Sequence, residues 1–307
     1  MMNNNFGLLF PGQGSQYVGM GKDLYEMFPG ARDVYERAEE VLEMSIRKIS
    51  FEGPEELLRQ TRYTQPAILT HSLAVLEMLG NIKTVIVAGH SLGEYSALYA
   101  AGSLDFISVM KLVKRRAELM FNEGEKRPGM MAAVIGLDAR IIEEICDGVS
   151  GVVVPANYNE PKQIVIAGEP PAVQAAMELA KQQGALKVVA LPVSGAFHSP
   201  LLSESAREFA EYLEQFEIKT PQVPVVMNVT GMLVTTAGEV KSNLARQLIS
   251  PVQWIKTVIT AKNSGCQYFI EVGPGRVLSG LVKRIAPEVH IRQLGKAEEW
   301  QAFVEGR

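Results

Sequence analysis

The stretch Thr84-Val-Ile-Val-Ala-Gly89-His-Ser-Leu-Gly93-Glu-Tyr-Ser-Ala-Leu-Tyr-Ala-Ala constrains this chain more than any other. A β-branched apolar run, Thr84–Val87, enters a tight Gly-x-Ser-x-Gly turn that passes straight into a helix-forming segment. That strand–turn–helix context is what makes Gly-x-Ser-x-Gly a nucleophile elbow. The two glycines permit a sharp fold, and Ser91 is presented at its tip. The amide of Leu92 then lies at a helix N-terminus, where a developing oxyanion is stabilised. The alternative is a serine in an ordinary strand-to-helix turn.

A chain of 307 residues, 47% of them hydrophobic, can fill one large core or carry a second domain inserted in the first. The net charge of −4 is spread over interspersed acidic and basic residues. No basic run points to nucleic acid, and no charge block points to a disordered tail. Cys146 and Cys266 belong to no Cys-x-x-Cys or Cys/His grouping. They read as free thiols of a reducing compartment, with no metal site expected. The start, Met-Met-Asn-Asn-Asn-Phe, lacks a basic segment followed by a long apolar one, and no apolar run is long enough to span a bilayer. A soluble cytoplasmic protein with no membrane and no nucleic-acid partner is expected.

Phe6–Phe10 reads as a strand running into Pro11-Gly12-Gln13-Gly14-Ser15-Gln16. Three readings of this loop stand side by side: a plain turn, a nucleotide-binding loop whose third glycine is misplaced, or a loop whose Gln13 amide faces the elbow. Asp33–Met44 and Glu55–Arg59 read as helical, and Gln65-Pro66 opens a helix over Ala67–Leu79 in which His71 is packed or at the surface. From Phe106 to about Asn122 the helical period places Val109, Leu112, Val113 and Met120 on one stripe, opposite Lys111, Lys114, Arg115 and Glu118. Arg116 falls inside the apolar stripe. A charge there must find a partner: either an internal carboxylate, or the carboxylate of a substrate, which a guanidinium suits by its fork geometry.

After Pro128-Gly129 the rhythm changes. Met130–Ile135, Gly151–Pro155, Gln163–Ala167 and Leu186–Pro192 read as strands, with helices at Ala139–Cys146 and Pro171–Gln183. This βαββαβ order is the ferredoxin-like unit, read as an insert of about 65 residues, a plausible module size. Asn157-Tyr-Asn159 reads as a polar turn leaving its second strand. His198, in Ser194-Gly-Ala-Phe-His-Ser-Pro200, is a candidate general base for Ser91 or a helix-start histidine; no acid stands in a telling position to orient it. Val223–Val229 and Tyr268–Val272 read as further strands, the second as the last of the core. Ser250-Pro-Val-Gln253-Trp254 begins a helix with its proline near the first turn. Gly273-Pro-Gly275 is a tight turn or an anion site at the following helix start.

Six stretches resemble the malonyl-CoA:acyl carrier protein transacylase family, which includes enzymes of bacterial fatty acid synthesis and free-standing acyltransferases of polyketide synthases. They are Phe10-Pro-Gly-Gln-Gly-Ser-Gln16, Tyr63-Thr-Gln-Pro-Ala67, Gly89-His-Ser-Leu-Gly-Glu94, Gly195-Ala-Phe-His-Ser199, Pro251-Val-Gln-Trp254 and Glu271-Val-Gly-Pro-Gly275, in the family's order over nearly the whole chain. The resemblance implies an α/β-hydrolase-like catalytic domain over 1–127 and 196–307, with a ferredoxin-like subdomain inserted at 128–195. It implies that Ser91 carries the acyl group, that His198 is its base, and that Arg116 binds the malonyl carboxylate. Gln13 and Leu92 would supply the oxyanion-hole amides, and Gln253 would orient His198 through its main-chain carbonyl. Asn157, Phe197 and His90 are supporting residues, Phe197 being the form associated with malonyl rather than methylmalonyl units. Malonyl-CoA and phosphopantetheinylated acyl carrier protein are the implied substrates, with no bound cofactor and a monomer as the default. A basic docking surface is expected, Lys283-Arg284 being a candidate. An acyl hydrolase on the same fold and a non-catalytic docking module for carrier proteins are the rival readings.

Overall fold

The computed structural model describes residues 5–80, 82–193 and 195–306. In chain order its strands are β1 (Phe6–Phe10), β2 (Thr84–Gly89), β3 (Met130–Ile135), β4 (Val153–Glu160), β5 (Gln163–Gly168), β6 (Lys187–Ala190), β7 (Val225–Met227), β8 (Met232–Val234), β9 (Tyr268–Val272) and β10 (His290–Leu294). They form two sheets, ordered β10-β9-β1-β2-β7-β8 and β4-β5-β3-β6.

In the larger sheet every neighbouring pair is parallel except β7 and β8. Parallel strands covered on both faces read as near-continuous apolar runs, and β1, β2 and β9 do. Leu8, Phe10, Val87 and Ile270 pack into one helical layer, and Leu9, Ile86, Ala88 and Phe269 into the other. Because the strands run parallel, Phe10, Gly89, Met227 and Val272 end on the same side, where α/β sheets bind ligands. The smaller sheet is antiparallel. Helices Ala139–Gly148 and Pro170–Gln182 cover one of its faces in the βαββαβ order of a ferredoxin-like unit.

The elbow is held by close backbone packing. A β-carbon on Gly93 would sit 2.0 Å from the Phe10 carbonyl oxygen, and one on Gly89 would sit 1.9 Å from the Gly93 carbonyl carbon. Only glycine lets the helix Gly93–Ala100 come this near to β1 and β2.

Several boundaries differ from the sequence expectation. The helix expected to open at Gln65-Pro66 runs from Thr61 to Leu79, with Pro66 inside it. The proline has no N–H to donate, so the Arg62 carbonyl goes without its helical partner, yet burial of the flanking turns holds the helix together. Asn157-Tyr-Asn159 is not a turn but part of β4, irregular there because the strand also bridges Val252. The strands read as Gly151–Pro155, Leu186–Pro192 and Val223–Val229 occupy the shifted or shorter spans given above. Pro251 precedes the helix Trp254–Asn263 instead of lying in its first turn. Tyr268–Val272 is the last buried strand, but β10 pairs beyond it at the sheet edge. Its half-exposed His-Ile-Arg-Gln-Leu carries no apolar run to betray it. Gly273-Pro-Gly275 is a turn, and the next helix start is occupied by an internal anion: the buried Glu271 carboxylate accepts from the Leu278 and Ser279 amides at 2.9 and 2.7 Å.

Gly93→Ala is expected to lower stability by about 3 kcal/mol or more, the upper range for overpacking. Urea unfolding of the purified variant checks this, and a loss below about 1 kcal/mol would contradict the packing described.

Candidate active site

Three strand ends and three helices converge on Ser91. The residue sits at φ 51°, and His198 at φ 59°. Both are in the left-handed region, which costs a non-glycine residue on the order of 1–3 kcal/mol and persists only where surroundings enforce it. Around Ser91 the enforcing contacts are explicit. Its N–H donates to Asn228 Oδ1 at 2.6 Å, and Asn228 Nδ2 donates to the Gly89 carbonyl at 2.7 Å. Asn228 directly follows β7, so a neighbouring strand end clamps both sides of the elbow.

Ser91 Oγ lies 2.7 Å from His198 Nε2. His198 Nδ1 faces two carbonyl oxygens, Gln247 at 2.9 Å and Ser250 at 3.1 Å. Carbonyls only accept, so the proton resides on Nδ1 and Nε2 is free to receive the serine proton. The expected carbonyl of Gln253 is not the one used: it accepts from the Thr257 amide and hydroxyl. The reason is geometric. Gln247 is the last residue of the helix Ala237–Gln247, where carbonyls are left without intrahelical donors and the dipole favours a positive partner.

Arg116 is fully buried on the helix Phe106–Lys126. The apolar stripe expected around it is buried as well. Its Nη2 donates to Ser91 Oγ at 3.0 Å and to Gln247 Oε1 at 3.0 Å; Nε reaches the same Oε1 at 3.2 Å, and Nη1 reaches Gln65 Oε1 at 2.7 Å. Among the described residues no carboxylate lies within 4 Å of this guanidinium. Of the two partners open to it from sequence, the internal ion pair is therefore not made.

The remaining residues line a cavity of about 150 Å³ that includes Gln13, Leu92, Asn157, Phe197, His198 and Arg116. Gln13 Nε2 donates to Thr61 Oγ1 at 3.2 Å. The loop before it is pressed onto the elbow: His90 N–H donates to the Phe10 carbonyl at 2.9 Å, and a β-carbon on Gly12 would lie 2.4 Å from the His90 carbonyl oxygen. Its glycine thus serves close approach to the elbow. Among the described residues the main-chain N–H groups of Gln13 and Leu92 have no acceptor within the protein. His90 Nε2 meets Asn159 Oδ1 at 2.8 Å, and Tyr158 N–H donates to the Val252 carbonyl at 2.9 Å. These contacts fasten the smaller sheet over the cavity.

A residue model of the acyl transferase domain matches residues 8–293. The chain belongs to the acyl transferase domain family. Among similar acyl transferases, the malonyl CoA-acyl carrier protein transacylase of Bacillus subtilis is 44% identical over 282 residues, 90% of this chain and 89% of that protein. A malonyl-transacylase solved in complex with its type II PKS acyl carrier protein superposes with a TM-score of 0.95 at 38% identity, covering 99% of this chain and 100% of the other. The malonyl-CoA:acyl carrier protein transacylase of Xanthomonas oryzae gives a TM-score of 0.95 at 37% identity, covering 100% and 99%.

Four polar residues of this acyl transferase site escaped the sequence argument: Gln65, Glu94, Asn228 and Gln247. Gln247 joins most of the others. Its Oε1 accepts from Arg116, its Nε2 donates to the Ser91 carbonyl at 3.0 Å and to Glu94 Oε2, and its own carbonyl faces His198. The signal available was the capping box Thr236-x-x-Glu239, which announces its helix.

Burial sets the protonation states. It lowers His198 to about 3, with the Arg116 charge acting the same way, and lowers His71 to about 4. It also lowers His90. Each stays neutral in the folded chain while the unfolded chain binds a proton below the ordinary histidine range. Their contribution to stability is therefore present above about pH 6.5 and lost as pH falls below it. Glu94 runs the other way, raised by burial to about 7. Its contribution grows as pH falls through that value.

Imidazole NMR signals of His71 and His198 are expected to remain those of neutral rings between about pH 5 and 8, across the range where a free histidine titrates. A midpoint near 6.5 for either ring would contradict the burial described.

Proposed function

We propose that this chain moves a malonyl group from malonyl-CoA to the phosphopantetheine thiol of an acyl carrier protein, through a malonyl ester on Ser91. The observation that carries this reading is the buried Arg116 guanidinium, which reaches Ser91 Oγ and has no carboxylate partner among the described residues. A fork held open beside a nucleophile selects an acyl group that brings its own carboxylate.

His198 accepts the Ser91 proton as the oxygen attacks the thioester carbon. The main-chain amides of Gln13 and Leu92 receive the oxyanion; loss of one such donor costs about 3 kcal/mol. Collapse of the tetrahedral adduct expels CoA thiolate, which takes the proton back from His198. The carrier protein's thiol then gives its proton to the same ring, attacks the ester and returns Ser91, in ping-pong order. A histidine backed by carbonyls is a weaker base than one backed by a carboxylate. It suffices here because a thiol leaves at a pKa of about 8.5, far below that of an amine or alcohol. Every step uses the chain's own groups and its two substrates, with no bound cofactor. Asn157, Phe197 and His90 shape the cavity, and Leu191 and Val193 join it to an outer groove of about 640 Å³, through which a pantetheine arm enters.

On this reading the chain acts as a monomer in the cytoplasm. Residues 1–127 and 196–307 form the catalytic unit and 128–195 the insert that closes over it. Lys283 is a better docking candidate than Arg284, which pairs with Glu160 at 3.5 Å.

Arg116→Ala is expected to lower kcat/KM for malonyl-CoA by at least about 100-fold and to raise acetyl-CoA transfer relative to it, because a site built around a polar group discriminates by that order or more. Steady-state transfer to holo acyl carrier protein with each thioester checks this. Unchanged malonyl preference in the variant would sink the assignment.

A further inference from the structure

Burial of a cation normally demands an anion beside it, since the desolvation penalty is several kcal/mol per ion. Among the described residues Arg116 has none in contact. Its hydrogen bonds end on two amide oxygens and one hydroxyl. One residue further out, the Gln247 amide turns its other end to a carboxylate. Arginine only donates, so Oε1 of Gln247 must face Arg116 and Nε2 must face Glu94 and the Ser91 carbonyl. Glu94 is itself fully buried. Its Oε1 accepts the Asn228 amide at 2.6 Å, and its Oε2 accepts from Gln247. Both oxygens are engaged as acceptors, as the ionised form requires, and that form prevails above the value of about 7 to which burial raises this carboxyl; among the described residues Glu94 forms no ion pair of its own.

We infer that Glu94 is the counter-ion of Arg116, held one amide away so that the guanidinium stays charged and fixed while its fork remains open to the substrate. This rests on the assignment of Arg116 as the carboxylate receptor. The arrangement resolves a conflict between two requirements. A carboxylate in direct contact would stabilise the buried cation, and would also occupy the N–H groups meant for malonate. With no carboxylate nearby the cation would be too costly to bury. The interposed amide satisfies guanidinium geometry without neutralising it, and carries the field of Glu94 across one hydrogen-bonded link. Burial lowers the Arg116 pKa while Tyr95 and Glu94 oppose that drop, in keeping with this role. Glu94 is accordingly a positioning residue that sets substrate choice through Gln247.

The decisive variant exchanges the two side chains, Glu94→Gln with Gln247→Glu. Net charge and volume are kept. The new carboxylate accepts the Arg116 N–H groups directly, its second oxygen accepts from the new amide, and that amide's oxygen still accepts from Asn228 N–H. The Ser91 carbonyl loses its donor and faces a carboxylate oxygen in its place, which the Ser91 label monitors. Ser91 loading from malonyl-CoA and from acetyl-CoA is followed by quenched-flow mass spectrometry, with a fluorophosphonate label on Ser91 reporting a folded site. The malonyl-over-acetyl ratio is expected to fall at least about 100-fold, chiefly through a raised malonyl KM, because an internal ion pair now competes for the fork. Glu94→Gln alone is the second variant. It presents an amide to two donors, misorients Gln247, and is expected to reduce the ratio at least about 10-fold.

A ratio within about threefold of the wild type in either labelled variant would overturn the inference, the outcome expected if Glu94 were merely structural. Loss of labelling in both would overturn it too, since the inference requires a folded enzyme that has lost its choice. Arg116→Ala run alongside separates the two claims. If that variant loses malonyl preference while the Glu94 variants keep it, only the remote counter-ion fails. If Arg116→Ala keeps the preference, the assignment of the receptor itself fails.

Discussion

The guanidinium of Arg116 lies wholly out of solvent, and every hydrogen bond it makes ends on a neutral oxygen. A charge so placed is expensive, and the surrounding architecture follows from keeping it there. Gln65 is held in turn by Met120, whose sulfur accepts its Nε2 at 3.3 Å. Gln247 is held by Glu94 and the Ser91 carbonyl. The helices Thr61–Leu79, Phe106–Lys126 and Ala237–Gln247 each send one polar side chain, Gln65, Arg116 and Gln247, inward to the same point. Two of these side chains are amides with both ends used, a complete network of the kind that fixes one arrangement.

Ser91 and His198, the proposed nucleophile and base, depend on that framework in a second way. Both occupy left-handed backbone conformations, and neither would hold them unaided. For Ser91 the restraint is the glycine packing of the elbow against β1, together with the Asn228 clamp. The His198 ring is fixed by the Gln247 carbonyl at the end of the helix Ala237–Gln247 and by the Ser250 carbonyl just beyond it, which also set the tautomer. On the proposed mechanism the third member of the group is therefore a helix terminus instead of an acid. Its negative end favours the protonated ring in the transition state, yet leaves the resting histidine neutral.

What was legible in the sequence was whatever broke a pattern. Ser91 stands in a turn that only a strand–elbow–helix accommodates, and Arg116 interrupts an apolar stripe. The βαββαβ rhythm after Pro128 was readable because each strand is a short apolar run between turn residues. Gln65, Asn228 and Gln247 left no such trace, since a neutral amide on a half-polar helix or after a three-residue strand disturbs no periodicity. Glu94 stood in full view as part of the elbow motif, but burial of a carboxylate cannot be read from an eight-residue helix. The misassigned carbonyl of Gln253 has the same origin. Which main-chain oxygen points at a histidine is decided by where a helix ends and how the chain turns, not by the side chain attached. β10 escaped because an edge strand exposed on one side needs few apolar residues.

The most direct test of the account is intact-protein mass spectrometry after incubation with malonyl-CoA, followed by addition of holo acyl carrier protein. The account predicts a malonyl adduct confined to Ser91 that disappears as malonyl-carrier protein forms, and no comparable adduct from acetyl-CoA. Release of CoA with no adduct and no transfer would contradict it in favour of hydrolysis. Equal loading from both thioesters would contradict the part played by Arg116.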